Sequence, residues 1–65
     1  MDLHNPSNFE NYRYLTIEKP ITIELTIDQQ AVVLKTYDYG INTLTEIEER
    51  LLDAVVSNLK EAINP

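Results

Sequence analysis

The sequence predicts an α+β fold: a β-hairpin of two or three short antiparallel strands, then one long C-terminal α-helix packed on one sheet face, the whole completed by dimerisation. Three observations carry this expectation. Residues 15–28 alternate apolar and polar side chains, residues 31–39 are rich in β-branched and aromatic residues, and residues 44–63 repeat apolar side chains at helical spacing. The division that follows is an N-terminal tail or loop over residues 1–11 and a single β-β-α domain over residues 12–65.

Residues 1–11 (MDLHNPSNFEN) are Asn-rich, contain Pro6 and show neither a two-residue nor a 3.6-residue period. Ser7 with Glu10 three positions on has the spacing to cap a single helical turn. In the first strand Leu15, Ile17, Ile21, Ile23, Leu25 and Ile27 share one parity, and Thr16, Glu18, Thr22, Glu24, Thr26 and Asp28 share the other. Pro20 lacks an N–H to donate, so it marks an edge strand or a break between two shorter ones. The second strand runs from Ala31 to Tyr39. With Gln29-Gln30 as the turn, Ile27 faces Val32, Leu25 faces Leu34, Ile23 faces Thr36, and Glu24 lies opposite Lys35 as an opposite-charge cross-strand pair. Gln-Gln is poor turn chemistry beside Asn-Gly, which leaves a longer loop as the alternative.

Gly40, the single glycine, lies between the second strand and the helix, where a positive φ is expected. Thr43-x-x-Glu46 and Thr45-x-x-Glu48 are overlapping capping boxes. Glu46, Glu48 and Glu49 in the first turns and Lys60 near the end both suit the helix dipole. The helix from about Leu44 to Ile63 carries two apolar stripes. Leu44, Ile47, Leu51, Ala54, Val55 and Ala62 form one. Leu52, Val56, Leu59 and Ile63 form the other, with the spacing of a coiled-coil seam. Together they cover roughly 200° of circumference, about twice the minimum for one contact. A two-stranded hairpin is too small to cover both, so the second stripe is assigned to self-association.

The outer hairpin face would gather Tyr12, Tyr14, Tyr37 and Tyr39 with Val33, an aromatic patch of the kind enriched at interfaces. The plainer alternative folds the N-terminal segment over the hairpin so that the tyrosines pack on one another.

At 65 residues there is room for one core, and a core of this size seldom supplies more than ~3–5 kcal/mol without help. With no cysteine, disulfides cannot add to it, and no Cys/His cluster could hold a structural zinc. A partner or a second copy is the remaining source of stability. A formal net charge of −6 argues against direct binding of nucleic acid or an anionic membrane. No apolar run approaches ~20 residues, no signal peptide is visible, and the absence of cysteine fits a cytoplasmic, soluble protein.

Catalytic chemistry has no foothold in the sequence. His4 is the one histidine, it lies in the tail, and no Ser or Cys nucleophile sits in a recognisable motif. The acidic residues do not follow calcium-loop spacing, and no glycine-rich phosphate loop exists. Catalytic residues, metal ligands and cofactors are therefore all expected to be absent, and the chain is read as a non-enzyme. Glu46, Glu49 and Asp53 share one outward helix face, which is either a solvated surface or a partner-binding one.

Three functions are consistent with this reading. One is an inhibitor of a host or nucleic-acid-processing protein, of the type encoded by phages and mobile elements, using the acidic face to imitate phosphates. Another is an antitoxin or adaptor-type regulatory subunit that binds through the wide helix face and the tyrosines. The last is a purely structural homo-oligomer, a homodimer in the simplest case.

Overall fold

The computed structural model describes residues 8–64, and among these the chain is helical, with no strand. Helix α1 spans Phe9–Arg13, α2 spans Ile27–Tyr39 and α3 spans Glu46–Ile63, with a short 3₁₀ turn over Ile41–Thr43. Between α1 and α2, residues 17–26 form an arm without regular secondary structure. The α+β expectation is thus corrected. There is no hairpin, the register built on Gln29-Gln30 does not exist, and the domain from residue 12 onward is not β-β-α.

The physical reason lies at Thr26. Its hydroxyl accepts from the Gln29 N–H at 3.1 Å, and the Gln29 side chain returns a bond to the Thr26 N–H at 3.0 Å. This reciprocal capping box satisfies two of the N–H groups that a helix start leaves orphaned, and Asp28 adds negative charge at the positive end of the dipole. Gln29 and Gln30, poor as a hairpin turn, are good helix formers. The β-branched run Val32–Val33 and the aromatic Tyr37 and Tyr39 are then carried in the helix, overriding their strand preference.

Gly40 ends α2. Its φ of 86° is in the glycine-favoured region, and its N–H donates to the Thr36 carbonyl at 2.9 Å. The Gly40 carbonyl accepts from Thr43 Oγ1 at 2.8 Å, which holds the 3₁₀ turn against the helix end. The positive φ expected at this glycine is present, at the exit of a helix rather than a strand.

Helix α3 begins two residues after the expected Leu44. Of the two overlapping boxes, Thr45 with Glu48 is the one formed: the Glu48 N–H donates to Thr45 Oγ1 at 3.2 Å, and Glu48 Oε1 accepts from the Thr45 N–H at 2.8 Å. At the other end of the chain Ser7 lies outside the described residues. Asn8 caps α1 instead, its Oδ1 accepting from the Glu10 N–H at 3.0 Å. Residues 9–11 therefore belong to a helix, with Tyr12 and Arg13.

Helices α2 and α3 pack against each other across the Gly40 turn, with Val32 and Leu51 lining the same small hollow of about 370 Å³. Val32, 3% exposed, is the one buried residue among the described residues. Lys35 reaches across this junction to Glu48, at 2.7 and 3.0 Å from its two carboxylate oxygens. The expected Glu24–Lys35 pair is corrected accordingly, because a helical residue 35 faces α3 and not the arm.

The alternation of the first predicted strand survives only over residues 21–26, since Leu15, Ile17 and Ile27 are exposed. Ile21, Ile23 and Leu25 are half-buried, whereas Thr22, Glu24 and Thr26 are exposed. Period-two burial thus persists although no second strand lies beside it.

Candidate functional site: an apolar groove between α1 and α3

The C-terminal part of the second stripe of α3 borders an open concave feature. Val56, Leu59 and Ile63 line one wall and Phe9, Tyr12 and Leu15 the other, enclosing an open groove of about 820 Å³. Its lining is almost wholly apolar, with Arg13, Lys60 and Glu61 contributing the charged groups at its edge. Val56 and Leu59 are each about 40% exposed, and Leu52 and Ile63 are half-buried. Of the four residues singled out for self-association, Val56, Leu59 and Ile63 line this groove, and Leu52 is not among its lining residues.

The local chemistry explains the arrangement. An Asn8-capped single turn holds Phe9 and Tyr12, three residues apart, on the same side of α1. The chain then turns through hydrogen bonds from the Leu15 N–H to the Tyr12 carbonyl and from the Thr16 N–H to the Arg13 carbonyl, at 3.0 and 3.1 Å. That turn brings Leu15 to the same groove. Phe9 and Leu15 were not foreseen as groove residues. The available signal was Asn8 preceding Phe9-Glu10, an N-cap residue with an acid in the first turn.

The four tyrosines do not share a sheet face. Tyr12 is in α1 and Tyr14 is its C-terminal cap, whereas Tyr37 and Tyr39 lie in the last turn of α2. All four are exposed, Tyr37 most of all at 89%. Only Tyr12 reaches the groove. Tyr37 and Tyr39, two apart on a helix, point to different sides.

Glu46, Glu49 and Asp53 are exposed along one side of α3, as their spacing requires. Glu46 is paired with Arg50 at 3.0 Å. The acid with the altered titration is Glu48, which is not on that face. The Lys35 ammonium hydrogen-bonded to it holds its carboxyl below the usual value of 4.5, helped by the Thr45 N–H. Its role is to tie α2 to α3 and to cap α3.

Among the described residues no group of three or more His, Cys, Asp and Glu side chains is placed to hold a metal ion. His4 lies outside the described residues. No described helix is long and apolar enough to cross a membrane. No protein-family model, no characterised protein and no solved structure matches this chain.

Proposed function

We propose that this chain is a small, acidic, non-enzymatic protein-binding module of the adaptor or regulatory-subunit kind, working in the cytoplasm. Its groove receives an amphipathic helix of another protein. The observation that carries this reading is the groove itself. Its α3 wall repeats Val56, Leu59 and Ile63 at the 3-4 spacing of a coiled-coil seam, which fits the i, i+3, i+4, i+7 anchors of a helix lying alongside. A volume of about 820 Å³ is ample for two or three such anchors. The charged edge residues would set the orientation of the incoming helix, and the remaining acidic surface would keep the module dispersed.

A second reading rests on the side of α3 that carries Glu46, Glu49 and Asp53. There the chain would act as an inhibitor of a nucleic-acid-processing protein, presenting carboxylates where that protein expects phosphates. The exposure of all three acids in one row supports it.

One experiment separates the two. The chain is immobilised as wild type, as Val56→Glu and as Glu49→Gln/Asp53→Asn, and bound proteins are identified after matched washes at low and high salt. The groove reading expects a partner that is lost with Val56→Glu, kept by the neutralised variant and held at high salt. The acidic reading expects the reverse on all three counts. A bound set that is identical for the three baits contradicts both.

A further inference from the structure

We infer that two copies of this chain pair through residues Ile21–Leu25, forming a two-stranded antiparallel ribbon about a twofold axis at Ile23. Among the described residues, no backbone N–H or C=O of Ile21–Glu24 has a hydrogen-bond partner within the chain. Period-two burial is the pattern of a strand, and unpaired N–H and C=O groups along such a segment are a template for another strand. The single chain is also short of cover. Its accessible surface is 5738 Å², against about 4,200 Å² for a compact monomer of 7.5 kDa. Its radius of gyration of 13.6 Å compares with about 10.7 Å for a compact chain of this length. The excess surface exceeds the ~800 Å² that each partner contributes to a standard interface. Part of it is apolar and adjoins the arm, since Ile27, Leu34 and Tyr37 stand exposed on one side of α2.

Which edge pairs follows from the flanking residues. In extended backbone the N–H and C=O of one residue point to the same side and alternate along the strand. Pro20, Thr22, Glu24 and Thr26 share one edge. Pro20 has no N–H, and Thr26 already uses both groups at the start of α2, its N–H on Gln29 Oε1 and its carbonyl on the Gln30 N–H. The other edge, of Ile21, Ile23 and Leu25, is the one left for pairing. The Leu25 carbonyl accepts from Gln30 Nε2 at 3.0 Å and keeps a second lone pair.

The register is then a choice among a few symmetric alternatives. An axis at Glu24 sets the two Glu24 carboxylates against each other. An axis at Thr22 brings Lys19 into the half-buried row, beyond the Glu18 kink where φ is 56°. An axis at Ile23 avoids both. Ile23 exchanges bonds with the partner's Ile23, and Ile21 with the partner's Leu25. On the exposed face Thr22 lies opposite the partner's Glu24. This interface leaves the α1–α3 groove free for a different protein.

The test is the mass of the full chain by light scattering at 0.01–1 mM, followed by NMR on a mixture of labelled and unlabelled chains. The expected result is a dimer whose intermolecular contacts include Thr22 Hα to Glu24 Hα, the close non-hydrogen-bonded pair of this register. Ile23→Pro removes the N–H that donates each of the two central bonds, and should weaken association by about a hundredfold while helical circular dichroism persists. Val56→Glu should leave the dimer intact. A chain that stays monomeric at 1 mM overturns the inference. So does a dimer that lacks the Thr22–Glu24 contact, or one abolished by Val56→Glu and untouched by Ile23→Pro.

Discussion

Truncating Val32, the one buried residue among those described, is the sharpest probe of how α2 is held. Val32→Ala removes two methyl groups from the junction with α3, worth about 0.8 kcal/mol each in transfer alone. The hollow beside Val32 and Leu51 is already open, so collapse around the shorter side chain will be incomplete and a cavity contribution adds to the loss. The total is about 2 kcal/mol, roughly half of what a chain of this size can hold. Val33→Ala, the same chemical change one residue on, acts at a site 37% exposed. There the smaller burial loss is offset by the better helix propensity of alanine, and the net cost should be under ~0.5 kcal/mol. The assay is urea unfolding followed by circular dichroism, at one fixed protein concentration because association would shift the midpoint. With a slope near ~1 kcal/mol/M for a domain this small, Val32→Ala should lower the midpoint by about 2 M. Equal costs at the two positions would refute the docking of α2 through Val32.

Other perturbations test the remaining joints. Gly40→Ala meets no steric contact but must adopt a φ of 86°, so it should cost ~1–3 kcal/mol in the same unfolding assay. Thr26→Ala and Thr45→Ala each delete a cap and should each lose ~1 kcal/mol, with helix fraying visible as faster amide exchange in the first turn. Asp38→Lys exchanges a misplaced anion in the last turn of α2 for a cation, and should raise stability by ~0.5–1.5 kcal/mol. Glu48 titrates below its ordinary 4.5 because the folded state favours its charged form. Its contribution is therefore full above that value and is lost as pH falls through the lower folded value. Wild type should lose stability toward Glu48→Gln as pH drops from 6 to 3, and parallel curves would contradict the assignment.

The C-terminal half was largely legible. The Thr45-x-x-Glu48 box, the acids behind it and the 3.6-residue repeat all point to one helix, and they agree with the packing of Leu51 and Val55. Ile47, placed by spacing in the first stripe, is exposed. The second strand was misread because Val32, Val33, Thr36, Tyr37 and Tyr39 favour extended backbone locally. The same Ser/Thr-x-x-Glu/Gln motif that marks α3 is present at Thr26-x-x-Gln29, and it outweighs that preference. Periodicity alone could not decide the matter, since residues 31–39 have apolar side chains around most of a helix as well as on both faces of a strand. The groove was half legible. Leu52, Val56, Leu59 and Ile63 could be seen as an uncovered seam, but its opposite wall comes from Phe9, Tyr12 and Leu15, which a strand reading sends elsewhere.

Backbone chemical shifts over residues 20–40 test the architecture most directly. The structure predicts non-helical Cα shifts from Ile21 to Leu25 and helical Cα shifts from Ile27 through Tyr39, with the change at Thr26. Extended shifts through Ala31–Tyr39 would restore the hairpin and contradict the helical account.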